Sequence, residues 1–316
     1  MKIEIETKKT VKNGIKGATQ KNITYTLMAA PALILVFIFN YLPMFGLVIA
    51  FKNFRYDQGI LGSAWCGFKN FEFFFKSSDA VHIIGNTILM NVLFIITGLF
   101  GAVILAILLN EVKKKIFVKT YQTVMLIPFF LSMTVVANIV YGFLEYKYGI
   151  VNTFLTALGM DKVIWYNESQ YWRFILTMVN WWKNVGYNCI IFYAGIMGIE
   201  PTYYEAASID GAGKLKRFTH ITIPLIRSLV ITMLILQTGS IMTSDMGLFY
   251  IVTRNSAMLY EKIDVINTYV YRAMISSGGD MGMTAAIGMF QSVTGMILVL
   301  LSNFLAKKYN ESGAIF

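Results

Sequence analysis

Six stretches of this chain are apolar, continuous and long: roughly Tyr25–Ala50, Ile83–Leu109, Tyr121–Leu144, Trp172–Ile199, Ile223–Val252 and Thr284–Ala306. Each exceeds the ~20 residues a helix needs to cross the hydrocarbon of a bilayer. Inside lipid no water satisfies the backbone, so only helices or closed barrel strands can span it. Barrel strands alternate apolar and polar residues; these runs do not, so they predict helices. Composition agrees: 14% of the residues are charged, where soluble domains run near 25%. The expected fold class is all-α, a polytopic membrane protein with about six transmembrane helices. Its domain occupies residues 25–306, flanked by tails at 1–24 and 307–316. The first 24 residues are polar and carry six lysines. The run that follows is too long for the apolar core of a signal peptide and lacks a small-residue cleavage site, so no cleavable signal is expected.

Lys and Arg set the orientation, because cytosolic loops are enriched in them. Fifteen fall in the amino-terminal tail, the loop Asn110–Thr120, the loop after the fourth run and the carboxyl tail; ten fall on the opposite side, over longer loops. Both termini are therefore expected in the cytosol, in a multi-pass protein of the membrane. The net charge of +10 is read as this loop bias, and no nucleic-acid partner is expected. Pro31 and Pro224 sit near the starts of their runs, where first-turn amides have no intrahelical partner. Pro43 should kink or end the first helix. Cys66 and Cys189 have neither metal-ligand spacing nor a disulfide pattern. His82 and His220 join no ligand cluster, so no metal site and no catalytic residues are expected. The loop Phe51–His82 is rich in aromatics, among them Phe54, Trp65, Phe68, Phe71, Phe73, Phe74 and Phe75. It reads equally as a belt at the lipid headgroups and as a docking surface for an external partner.

One basic loop, residues 200–220, is more than a tether. Pro201 suits the first position of a short helix, and Asp210-Gly211 is a stop and turn signal. A second short helix can run from Ala212 to His220. Small Ala206, Ala207, Gly211, Ala212 and Gly213 let another surface approach the backbone, and Glu205 and Asp210 offer charge to a partner's Arg.

Here the chain resembles the inner-membrane permeases of binding-protein-dependent ABC importers. Their signature is Glu-Ala-Ala, three residues, Gly, nine residues, Ile, one residue, Leu-Pro. This chain has Glu205-Ala206-Ala207, Gly211, Ile221 and Ile223-Pro224, with Ile for Leu as the one departure. Tyr41-Leu42-Pro43, Ala50-Phe51-Lys52-Asn53-Phe54, Gly149-Ile150-Val151-Asn152, Asp264 to Tyr271 and Thr284 to Gly288 look like the branch that imports oligosaccharides with lipoprotein-type binding proteins. The resemblance implies a MetI-like ABC importer permease fold in a bacterial cytoplasmic membrane. It also implies that the loop is a coupling helix docked on a separate ATPase. There Glu205 and Asp210 would pair charges, Ala206 and Ala207 would pack closely, Gly211 would make the turn and Phe218 would anchor. Implied partners are two ATPase subunits, a second homologous permease (a homodimer stays open), an extracytoplasmic solute-binding protein and a carbohydrate substrate. The chain has no phosphate-cradling Gly-rich loop. It is thus not expected to be an enzyme or to hold a cofactor, ATP and magnesium belonging to the partner ATPase.

Polar side chains inside spans face a cavity or another helix. Trp181, Asn184, Tyr187, Gln237, Asp245 and Gln291 form the substrate-site expectation, since aromatic faces pack on sugar C–H groups and amides bond hydroxyls. Trp181 and Trp182 are adjacent, so only one can face a cavity. Lys183 and Asp245 either pair with each other or mark span ends. The rival reading is an ion-coupled secondary transporter of a small polar solute, for which Asp245 is the one good carboxylate.

Overall fold

The computed structural model describes residues 24–76, 80–276 and 280–309. Most of both predicted tails, residues 1–23 and 310–316, lies outside the described residues, as do the side chains of residues 73, 74, 276 and 309. Among the described residues the regular structure is helical apart from one two-stranded ribbon, β1 (Lys52–Asn53) paired antiparallel with β2 (Ala64–Trp65). In order come α1 (Thr24–Phe51), α2 (Lys69–Phe75), α3 (Ala80–Asn110), α4 (Lys115–Phe130), α5 (Met133–Leu144), α6 (Ile150–Ala157), α7 (Ser169–Met197), α8 (Pro201–Ile209), α9 (Lys214–Thr238), α10 (Ile266–Ser276) and α11 (Met281–Tyr309), with short turns between.

Among the described residues, α1, α3, α9 and α11 are each long and apolar enough to cross a membrane, and α4 with α5 forms a fifth, bent candidate. Helix α7 has 29 residues but is interrupted by Asn180, Lys183, Asn184 and Asn188, which lowers its apolar character. Two expected spans are not single helices. The third, Tyr121–Leu144, is α4 and α5 meeting at 97°. Pro128 lies in the last turn of α4 and removes an amide there. Leu131 and Ser132 are extended, and Ser132 caps α5 by accepting from Val135 N at 3.4 Å. The fifth, Ile223–Val252, stops at Thr238; residues 239–246 turn, and a wide helical turn follows at Gly247–Val252.

Of the kink or end expected at Pro43, the end does not occur. The first helix passes through a wide turn at Phe37–Tyr41, then winds tightly through Leu42–Phe51. Pro224 does not open its helix either. The predicted second helix, Ala212–His220, starts at Lys214 and continues through a wide turn at Phe218–Thr222 into the span. Widening the turn before a proline makes room for its ring and its missing donor.

Lipid is as apolar as a leucine core, so helix association here depends on close packing rather than on escape from water. Helices α3 and α7 form the spine. A Cβ on Gly101 of α3 would collide with the Trp181 indole, and one on Gly186 of α7 with the Met125 carbonyl of α4. A Cβ on Gly295 of α11 would lie 2.5 Å from the Gly239 carbonyl. Three apolar cores result among the described residues. One gathers Met90, Val136, Val140, Trp172, Leu176, Leu248 and Val252; a second gathers Leu99, Ala102, Ala106, Cys189, Phe192 and Ile226; a third gathers Ala80, Ile83, Met242, Ile266, Met283 and Ile287.

The two ends of α3 mark the ends of the molecule, since 31 residues at 1.5 Å each span about 46 Å. At the Ala80 end, Arg173 donates to the Lys262 carbonyl at 3.1 Å and to Asn86 Oδ1 at 2.8 Å, and Asn86 donates to the Glu261 carbonyl. The ribbon belongs to this half: Phe51 stacks on Trp65 at 5.7 Å and 9°, with Phe68 and Phe71 each 5.4 Å from it. Trp65, Phe68 and Tyr56 remain exposed, a surface compatible with both the belt and the docking reading. At the Asn110 end, Lys214 pairs with Glu111 at 2.5 Å, which sets the start of α9 beside the basic loop between α3 and α4.

Candidate functional site: a projecting helix and a polar cavity

The Asn110 end carries α8. Pro201 occupies its first turn, as its fixed φ favours. Its end is closed by backbone geometry: Gly211 adopts φ +73, Gly211 N donates to the Ser208 carbonyl at 3.2 Å, and Ala212 N donates to the Ala207 carbonyl at 2.8 Å. This pair of bonds is the Schellman closure, which glycine permits at no steric penalty. Asp210 is the C-cap, where a helix dipole disfavours negative charge, so local helix stability does not explain it. Glu205, Ala206 and Asp210 are exposed and Ala207 is half-buried. Glu205 forms no ion pair among the described residues. Phe218 is half-buried at the start of α9. The apolar side chains presented outward are instead Ile209 and Leu215, 87% and 75% exposed on either side of the Gly211 turn. Tyr204 shares a hydrogen bond with Thr222 at 2.9 Å and Arg217 donates to Ser208 at 3.0 Å, so α8 is braced against α9. A hollow of about 600 Å³ between α8 and the end of α7 is walled partly by Glu205 and Ile209.

The second feature is a cavity of about 380 Å³ enclosed by α3, α7, the end of α4 and the end of α9. Its height is near the middle of α3 and α7, between the first two apolar cores. Trp181, Asn184, Tyr187 and Gln237, four of the six expected substrate residues, line it together. Trp181 rather than Trp182 faces inward, held against Gly101. Asn91, Asn180, Asn188 and Ser240 add polar groups, and Phe129 adds a ring stacked on Tyr187 at 4.6 Å and 9°. Asn184 donates to the Asn180 carbonyl and to its Oδ1, at 3.1 and 2.9 Å. No carboxylate is among the lining residues. This lining of amides, hydroxyls and flat rings suits a polyhydroxylated solute. Among the described residues no three His, Cys, Asp or Glu side chains are placed to hold a metal ion.

The other two expected residues lie outside this lining. Asp245 Oδ1 accepts from Gly247 N at 2.7 Å and Leu248 N at 3.4 Å, capping the turn that resumes after the break. Gln291 donates to the Met242 carbonyl at 2.6 Å and to Asn267 Oδ1 at 3.0 Å, tying α11 to that break. Lys183 and Asp245 do not pair; Lys183 donates to the carbonyls of Pro128, Phe129 and Leu131. Asp245 marks a helix start, whereas Lys183 lies in the middle of α7 and bonds the end of α4. Ile209, Leu215 and Phe129 escaped the sequence reading. The first two could have been found as apolar residues flanking a predicted turn; Phe129 stood in an apolar run with no distinguishing signal.

The family described as binding-protein-dependent transport system inner membrane component matches residues 98–311. The polygalacturonan/rhamnogalacturonan transport system permease protein YteP of Bacillus subtilis is 34% identical over 91% of this chain and 88% of its own. A bacterial ABC transporter involved in the import of the acidic polysaccharide alginate has a chain that superposes with a TM-score of 0.83 at 32% identity, covering 94% of this chain and 99% of that one. A second structure, of the alginate ABC transporter in complex with an alginate pentasaccharide-bound periplasmic protein, matches with the same TM-score and identity over 93% and 98%.

Proposed function

We propose that this chain, which belongs to the binding-protein-dependent transport system inner membrane component family, is the permease subunit of an ABC importer for an oligosaccharide. It is a membrane-spanning subunit rather than an enzyme. Hydrolysis of ATP with magnesium belongs to two separate ATPase subunits, a second permease completes the path, and an extracytoplasmic binding protein delivers the substrate. Both termini and α8 face the cytosol of a bacterial cell. One relative is a polygalacturonan/rhamnogalacturonan permease and the superposed structure is of an importer of the acidic polysaccharide alginate, which makes short galacturonan and alginate oligosaccharides the first candidates.

One observation carries the reading. Helix α8 projects from the molecule with Glu205, Asp210 and Ile209 presented, and it leads through a closed turn into α9, which runs without a break from Lys214 to Thr238. The far end of that rod places Gln237 in the polar cavity. Displacement of α8 by a docked ATPase would therefore reach the cavity directly, as rigid-body transmission between two states. Glu205 pairs charge, Ala206 and Ala207 allow close approach, Gly211 holds the turn, and Ile209 and Leu215 join Phe218 as apolar anchors. The ion-coupled reading rested on Asp245, whose carboxylate is occupied with backbone amides, and nothing favours it.

The test is uptake by the assembled importer in proteoliposomes, using a panel of short galacturonan, alginate and neutral malto-oligosaccharides. Glu205→Arg should lower ATP-driven uptake by at least about tenfold, as reversal of an interfacial charge does, while the subunit still folds. Unchanged uptake in that variant would reject the coupling role.

A further inference from the structure

Lys183 sits near the middle of α7, at a depth where an ionised side chain is costly and marks function. An ammonium has three N–H donors and no acceptor. Three backbone carbonyls meet it: Leu131 at 2.6 Å, Phe129 at 3.1 Å and Pro128 at 3.3 Å. These carbonyls lie at the end of α4, where the 97° break removes the amides that would continue the helix, and a cation at a helix C-terminus also complements its dipole. One of the three belongs to Phe129, whose ring lies parallel to Tyr187 at 4.6 Å. Tyr187 stands one turn beyond Lys183 on the same helix. Both rings line the cavity beside Asn184, and Tyr187 is 47% exposed. Lys183 thus fixes the backbone of one ring to the helix that carries the other.

We infer that Lys183 is a positioning residue for substrate. By gathering the carbonyls at the end of α4 it holds Phe129 against Tyr187, and the stacked pair offers an aromatic platform to a sugar ring in the cavity. The inference rests on the oligosaccharide reading above. It assigns specificity to a lysine that touches no substrate.

The experiment compares wild type, Lys183→Met, Lys183→Gln, Lys183→Arg, Phe129→Ala and the Lys183→Met/Phe129→Ala double variant in the assembled importer. Uptake of the same saccharide panel is measured as KM and maximal rate. Loss of one ring contact corresponds to about tenfold in affinity. Lys183→Met should raise KM by about tenfold with a smaller change in maximal rate. Lys183→Arg, which keeps the donors, should restore most of it. The double variant should be no worse than Phe129→Ala alone, because both act through one platform. A wild-type KM in Lys183→Met, or effects that multiply in the double variant, would overturn the inference. Should Lys183→Met fail to assemble, a wild-type KM in Lys183→Gln overturns it equally. Absence of ATP-driven uptake of every saccharide by the wild type would remove the oligosaccharide reading itself, and the platform with it.

Discussion

Asn152 is fully buried, yet it has five polar neighbours. Its amide nitrogen donates toward the carbonyls of Glu145, Tyr146 and Val163, and its Oδ1 accepts from Val163 N and Trp165 Nε1. It closes the loop between α5 and α7. Asn152→Ala should cost about 2 kcal/mol of local stability, since it strands several buried partners. Faster tryptic cleavage at Lys147 and Lys162 in the intact subunit is the expected readout. In the sequence this residue stood out only through resemblance, and its physical role was hidden. The same ambiguity affected Asp245, Gln291 and Lys183. A polar residue in an apolar run looks alike whether it bonds a ligand, a neighbouring helix or a broken helix end. Trp181, Asn184, Tyr187 and Gln237 were legible as a group because three share one helix at spacings of three, and α9 brings the fourth to them.

Helices and turns were easier to foresee than their interruptions. The apolar runs located α1, α3, α7 and α11 to within a few residues, and Pro201 with Asp210-Gly211 located α8. The 97° bend was signalled by Pro128, but a proline inside a span also occurs in helices that merely kink. The break at 239–246 had weaker signals still, in Gly239-Ser240 and Asp245-Met246-Gly247. It depends on partners far along the chain: Asn91 donates to the Ile241 carbonyl at 2.9 Å and Ser244 Oγ at 3.2 Å, and Ser244 N donates to Asn267 Oδ1 at 3.1 Å. The crossing of α4 and α7 is set by Gly186, where any Cβ meets the Met125 backbone. Gly186→Val must separate the helices, at about 3 kcal/mol if overpacking here resembles that in other cores. A lower midpoint of thermal unfolding in detergent, with α9 and its Gly211 turn untouched, is the expected result.

At the scale of the whole molecule, three regions lie at different heights: exposed aromatics on the ribbon near the Ala80 end, a polar cavity between two apolar cores, and α8 at the Asn110 end. Helices α7 and α9, which precede and follow α8 in the chain, each run unbroken from the cavity to the Asn110 end. Under the proposal that α8 docks on an ATPase, that continuity would transmit its displacement to the cavity, and the interface would lie at Ile209, Glu205 and Leu215. A photocrosslinking amino acid placed at Ile209 in cells tests this directly. An adduct between this subunit and an ATPase subunit, lost when the crosslinker is moved to the exposed Phe100 on α3, is the predicted result. No ATPase adduct at Ile209, in membranes where the importer is assembled and active, would contradict α8 as the coupling element.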